Sequence, residues 1–475
     1  MFTMKSMFCL RSKATIALAI AGLISLGVLA LVPDTVQAQG QSPASPATSA
    51  RALLDGYVTE ALSANLAIAQ QNAAMRRANA TVREANGRFL PTVGVNARYS
   101  EFSGVVNIGD FINPAYSALN QLIGQERFPT NVAATLPFRQ ETKLEMSVPL
   151  YNDALFGARA ASRAQRDLVG SGRAAAMRQL AADIQQAWLG YATTVRAVET
   201  LEATLPVLDE NVRVSERLIA NGQATPDVLL RARAERSELL QQIAETTRQR
   251  DAARRGFNLL RNAPDDAAVQ LANDSTLLAV ALQDRDVLIA HAMQRREAVA
   301  QTGALIDLAR AQERVAGAAF LPNVALAASY GVQGDRYRFN RNNDVALASV
   351  VLGWNVFNGT QDAARREQAQ ASRSEAEYRK RETERAVRVE VQNALDAVNA
   401  AQSSLATAND RLAAAQRAFT LVQRRYAEGL ATQIEFLSAR SAYTNAALNQ
   451  VITQFTVATR VVDLERAAAL RALPN

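Results

Sequence analysis

Two stretches of the chain, Phe89–Tyr99 (FLPTVGVNARY) and Phe320–Tyr330 (FLPNVALAASY), carry nearly the same text 231 positions apart. In each, a helical pattern ends at a proline and the apolar period changes from 3.6 to 2. Val93, Val95, Ala97 and Tyr99 share one side of the strand so predicted. Thr92, Gly94, Asn96, Arg98 and Ser100 share the other. Val324, Leu326, Ala328 and Tyr330 repeat the apolar side in the second copy. The alignment extends back without gaps from Tyr99 to Ala61 and from Tyr330 to Ala292, so the chain is an internal repeat.

Each repeated strand has a partner downstream. Leu144, Met146, Val148 and Leu150 alternate with Lys143, Glu145, Ser147 and Pro149. Val350, Leu352, Trp354 and Val356 lie opposite Ser349, Gly353 and Asn355. The ends of these second strands, LYND (150–153) and VFNG (356–359), align at an offset of 206. Strands 1 and 2 thus occupy 91–152, with a loop over 103–140 rich in Gly, Asn and Pro. Strands 3 and 4 occupy 321–358, with a short loop over 334–343. A connection as long as the first implies a function or a water-facing position.

The helices have matching lengths. Residues 53–90 and 285–320 read as one helix each, leading into the strands. From Asp362 to Tyr426 there is neither Pro nor Gly. Val391, Val398, Leu405, Leu412, Phe419 and Tyr426 recur every seven residues, with Ala394, Ala401, Ala408, Ala415 and Val422 three later. This is a coiled-coil seam alternating a large side chain with a small one. The first copy keeps it from Ile184 to Ile219, interrupted by Pro206, where a kink is expected. Both long helices end at a matched turn, GQATPDVLLRAR (222–233) and GLATQIEFLSAR (429–440). Gly222 and Gly429 are C-cap glycines, and Thr225 and Thr432 N-cap the returning helices. The hairpins span 153–261 and 359–471, with tips at 221–225 and 428–432. At 1.5 Å per residue each long helix is roughly 100 Å, and each shorter one about half that. Each copy is therefore one continuous rod beside one broken at its middle, with 262–284 as a connection at the break.

The N-terminus reads as a targeting signal. Lys5, Arg11 and Lys13 precede an apolar run that ends at Val36-Gln37-Ala38, a small-x-small cleavage pattern. Removal of residues 1–38 takes away three positive charges and Asp34, lowering the net charge from +7 to +5. Residues 39–52 are a Pro/Ser/Ala lead-in. Cys9 is the only cysteine and lies in the signal, so the mature chain has no disulfide, thiol nucleophile or cysteine metal site. No basic block implies nucleic acid. No Walker loop, dinucleotide fingerprint, HExxH or nucleophile elbow is present, which leaves no sign of an enzyme or a cofactor. His291, the only histidine, reads as a structural residue on a helix, Trp188 as a helix contact, and Trp354 as a lipid-facing side chain.

Strands of this length, apolar on one side and small or polar on the other, suit an outer-membrane barrel wall. A soluble β-sandwich face has the same alternation. Four such strands, each joined to a long helix in a secreted chain without disulfides, favour the barrel. Four strands cannot close one, however, and an open edge in lipid leaves backbone groups unpaired at several kcal/mol each. Three chains would supply twelve strands. The wet interior would then be lined by Asn96, Arg98, Lys143, Glu145, Ser349 and Asn355.

The paired FLPxV motifs, the strand ends LYND and VFNG, and the paired turn motifs make the chain resemble the TolC-like outer membrane efflux family, from about Ala61 to Arg471. The resemblance implies a mainly α fold with a transmembrane β part. In it, a long α-helical barrel continues a twelve-stranded β-barrel shared by a homotrimer in the outer membrane lipid of a Gram-negative bacterium. It also implies a duct that carries drugs or polypeptides, docks on a periplasmic adaptor (membrane fusion) protein and serves an inner-membrane pump of RND or ABC type. Gly222, Ala224 and Thr225 with Gly429, Ala431 and Thr432 match the family's adaptor-contact tips. Tyr426 and Glu435 match its periplasmic aperture, where a threefold ring of Glu435 would attract cations. Two positions depart from the pattern: Ser438 stands where many relatives have a second acid, and Ala431 where some have an arginine. The competing reading is a structural or adhesive coiled-coil stalk with a β anchor, but stalks have one terminal anchor and here strands interrupt the helices twice.

Overall fold

The computed structural model describes residues 50–101, 107–133, 138–272, 284–334 and 343–473. The signal and most of the lead-in lie outside them, as do parts of the expected loops and residues 273–283 of the expected connection. In chain order, α1 (Ala50–Ala64) and α2 (Leu66–Gly87) lead into β1 (Thr92–Tyr99). Next come α3 (Gly109–Ile123), β2 (Gln140–Tyr151), α4 (Asp153–Ala220) and α5 (Pro226–Arg261). The second copy is α6 (Arg285–Arg295), α7 (Glu297–Gly317), a 3-10 turn at Ala318–Phe320, β3 (Asn323–Gly334), β4 (Asp344–Gly353), α8 (Gln361–Ala427) and α9 (Gln433–Ala467).

The helices expected over 53–90 and 285–320 are each broken once, at Asn65 and Arg296, which are 231 residues apart like the strand motifs. Asn65 is extended (φ −67°, ψ 130°), and its side-chain oxygen accepts from Ala67 N–H at 2.8 Å, capping α2. Its amide donates to Leu260 O at the end of α5, also at 2.8 Å. An asparagine that satisfies backbone groups this way competes with the helix it interrupts. At Arg296 (φ −71°, ψ 124°) no side chain caps α7. The guanidinium instead donates to Arg466 O and to both Glu390 oxygens, tying the break to α9 and α8. Burial lowers the Arg296 pKa, and Glu390 opposes that shift.

Both long helices form. α4 runs 68 residues without a break through Pro206, and α8 runs 67. The seam positions Ile184, Val198, Leu201, Leu208, Val391, Val398 and Ala408 are buried. Along α4 lie α5 towards the tip and α2 and α7 towards the strands; along α8 lie α9 and, in turn, α6 and α7. The half-length helices meet at mid-height around one core that includes Leu54, Trp188, Phe257, Leu288, Val391 and Phe455. Trp188 is buried there and donates to Gln270 O at 3.0 Å. His291 Nδ1 lies 2.8 Å from Ala468 O, a structural contact in which α6 holds the end of α9.

The four strands form one antiparallel sheet in the order β1-β2-β3-β4, so β1 and β4 are its edges. Its register sets Val95, Leu144, Tyr330 and Ala346 in one row, and Val93, Met146, Ala328 and Ala348 in the next, all on one face. Asn96, Lys143 and Gly331, then Gly94, Glu145 and Ser329, occupy the other. β4 departs from the expected alternation, because Val345, Leu347 and Val351 share the face of Ser349.

β4 also ends earlier than the sequence pattern implied. Its last residue, Gly353, pairs with Asn323, the first of β3; the preceding Pro322 has no N–H to continue the ladder. Trp354, Asn355 and Val356 therefore lie in the link to α8. Asn355 is not a strand residue, and the Trp354 indole donates to Phe320 O at 3.2 Å. The loop expected over 103–140 contains α3, a helix the Gly/Asn/Pro-rich composition concealed. Asn113 exchanges two 2.8 Å hydrogen bonds with the backbone of Val132, and Asn120 does the same with Phe128 at 2.7 and 2.9 Å. Tertiary pairing of two side-chain amides thus supplies the order that composition alone does not.

Candidate functional site

The candidate residues fall in two places, the sheet and the helical tips. On the sheet, Asn96 donates to Glu145 at 2.6 Å and Arg98 pairs with Glu141 at 2.7 Å. Lys143 also pairs with Glu141, a residue the sequence reading left out although its place two before Lys143 marks the same face. Asn96, Arg98, Lys143, Glu145 and Ser349 therefore share one face, with Asn355 beyond the strand end. The opposite face is bare apolar surface: Val93, Val95, Leu144, Tyr330, Val350 and Leu352 are all exposed, Val95 at 69%. Aromatic side chains gather where strands meet helices. Tyr151, Phe156, Phe320, Trp354 and Phe357 are exposed there, and Phe89 packs against Phe156 at 5.1 Å. An apolar band ending in aromatic residues is the pattern of a β-sheet facing lipid with its rim at the water boundary.

The tips are built by two equal devices. Asn221 and Glu428 end the long helices, and Gly222 (φ 71°) and Gly429 (φ 75°) follow in the left-handed region. Gln223 N–H reaches back to Leu218 O at 2.8 Å, and Leu430 N–H to Arg425 O at 2.7 Å. These six-to-one bonds satisfy carbonyls the helix would otherwise leave open. Thr432 caps α9 in a complete capping box with Glu435: Thr432 Oγ1 accepts from Glu435 N–H at 3.2 Å, and Glu435 Oε2 accepts from Thr432 N–H at 2.7 Å. Those bonds hold the Glu435 carboxyl below the ordinary glutamate range. Thr225 makes no such cap; its hydroxyl bonds to Asp227.

The structure does not join Tyr426 to Glu435. Tyr426 donates to Asn211 Oδ1 of α4 at 3.3 Å and stacks on Phe436 of α9 at 4.8 Å. Half-buried among these groups, its phenol has a raised pKa and stays protonated. One turn from Phe436 in either direction along α9, Arg440 pairs with Glu235 of α5, and Gln433 donates to Val228 O at 2.8 Å. The two tips of one chain are thereby tied together by side chains from both repeats. Asn211, Glu235 and Arg440 are invisible to a reading along the chain, because each gains its meaning from a partner some 200 positions away.

Residues 288–470 match the family model described as outer membrane efflux protein. No curated protein sequence matches the chain. Among solved structures it is similar to the outer membrane protein VceC of Vibrio cholerae, with a TM-score of 0.72 at 19% identity over 88% of this chain and 96% of that one. It is similar to the CmeC outer membrane channel of Campylobacter jejuni, at 0.72 and 15% over 92% and 93%. The open state of the MtrE outer membrane channel of Neisseria gonorrhoeae gives 0.71 and 19% over 88% of each.

Proposed function

We infer that this outer membrane efflux protein is the exit duct of a tripartite efflux or type I secretion system. One observation carries the reading: a four-stranded sheet with two open edges and a bare apolar face runs directly into helices roughly 100 Å long. In lipid those edges cost several kcal/mol per unpaired group, and pairing β1 of one chain with β4 of another removes the cost only when the ring closes. Three chains give twelve strands. The face bearing Asn96, Arg98, Lys143, Glu145 and Ser349 then lines the lumen, and the helices continue the duct into the periplasm. The chain conducts passively, so energy for export comes from an inner-membrane pump through a periplasmic adaptor seated on the tips. Light scattering of the detergent-extracted protein tests this: three chains per particle are expected, and a pore-forming monomer rules the reading out.

At the tip, Tyr426 and Asn211 act as a latch between α8 and α4. Tyr426→Phe keeps the stack on Phe436 and removes one hydrogen bond, a loss of about 1 kcal/mol, or roughly fivefold in the closed-to-open ratio. Higher mean conductance in a planar bilayer is the expected result; unchanged conductance and selectivity would show that the bond does not hold the tip. The adaptor seat is tested by Gly429→Trp, which adds bulk at a position with φ 75°. Export is expected to stop while trimers persist in the outer membrane. Normal export with normal adaptor cross-linking would reduce the tip to a helix cap.

A further inference from the structure

The helix α3 has an apolar face that nothing in the described chain covers. Phe111, Ala115, Ala118, Leu119 and Leu122 follow helical spacing along one side and are exposed, Phe111 at 73% and Leu122 at 83%. The other side is fixed. Asn113 and Asn120 are bonded to Val132 and Phe128, and Tyr116 stacks on Phe128 at 5.4 Å. This arrangement locks the helix to its own return segment with the apolar stripe turned away from it. A patch of this kind on a water-facing loop calls for a partner.

We propose that the apolar faces of the three α3 helices pack against one another across the threefold axis and cap the external mouth of the barrel. The proposal rests on the trimer inferred above. Three observations select this partner. α3 follows β1, the edge strand that borders the neighbouring chain, so each helix enters beside a subunit seam. Its only charged residue is Asp110; it lacks the Lys and Arg with which interfacial helices grip phosphate-bearing lipid headgroups, which argues against the membrane surface. The sizes also agree. Twelve strands ~4.8 Å apart and tilted ~40° make a ring about 24 Å across. Three helices packed 8–10 Å apart span roughly 20 Å.

The test uses Leu122→Cys in a chain whose only other cysteine is Cys9, which precedes the expected cleavage site. Oxidation of trimers in outer membranes is expected to link two of the three chains by a disulfide and to lower the conductance of the reconstituted channel, both reversed by reductant. Ser117→Cys, on a different side of the helix, is expected to stay unlinked. Particles of three chains in which the thiol introduced by Leu122→Cys stays free, or in which a spin label attached to it is quenched from the lipid phase, overturn the cap and leave the duct intact. Particles that do not contain three chains overturn both.

Discussion

Gly331→Val is expected to abolish assembly of the protein in the outer membrane. Gly331 of β3 lies opposite Lys143 of β2, at the seam between the first repeat and the second. A Cβ at this position would sit 2.1 Å from Thr142 O and 2.6 Å from Lys143 Cα. Backbone atoms cannot swing aside as a side chain can, so the two strands must separate. Overpacking alone costs about 1–3 kcal/mol, and a lost ladder in lipid adds several more per unpaired group. Gly94→Ala is the matched control. Gly94 occupies the same face of β1, but nothing lies within 4 Å of a Cβ built there. Trimer yield from membranes is the measurement, with near-complete loss for Gly331→Val and little change for Gly94→Ala. Equal yields would mean that β2 and β3 do not approach as closely as the structure places them.

The second large effect lies at mid-height, where Arg178 of α4 meets Glu297, the first residue of α7. The guanidinium donates to both carboxylate oxygens at 2.8 and 2.9 Å and also to Arg471 O at 3.0 Å; both side chains are about 9% exposed. Glu297 also gains from the positive end of the α7 dipole. Arg178→Ala strands a buried carboxylate and is expected to cost about 3–5 kcal/mol. Replacing both partners by similar-sized apolar residues, Arg178→Met with Glu297→Leu, is expected to recover most of that loss. The denaturant midpoints of single and double variants decide it; if the double variant falls as far as the single one, the pair is not what holds the break in place.

The two predictions differ in how far the sequence foresaw them. The strand that contains Gly331 was legible, since FLPNVALAASY repeats FLPTVGVNARY and alternates with period two. Nothing along the chain marks Gly331 as a contact with Thr142, because that approach depends on the register between two repeats. Arg178 and Glu297 looked like ordinary charges on helices, and only the convergence of α4, α7 and the chain end buries them together. The helix breaks show the same division. No Pro or Gly stands within six residues of Asn65 or Arg296, so the periodicity reads straight through them. The breaks exist because each residue finds partners on helices distant in sequence.

At the tips, sequence and tertiary structure contributed differently again. Gly222, Gly429 and Thr432 were readable because capping is local, its donors and acceptors lying within five residues of one another. Glu435, by contrast, was read only as an aperture residue and closes the capping box, and Thr225 was expected to cap and does not. Tyr426 was readable as the last large residue of a heptad, but its partner Asn211 was not. Asn355 was assigned to a strand on alternation alone, although the missing N–H of Pro322 ends the ladder at Gly353, two pairs earlier.

The sequence by itself determined the repeat, the two faces of β1, β2 and β3, the lengths of the rods and the glycines of their turns, since each of these depends on periods and neighbours along one chain. Tertiary structure decided where the rods break, which charges are buried, which residue holds Tyr426, and that a helix with an open apolar face stands in the long loop. Those depend on groups brought together from 8 to more than 200 positions apart, and the free energy of such contacts is not written in either partner alone.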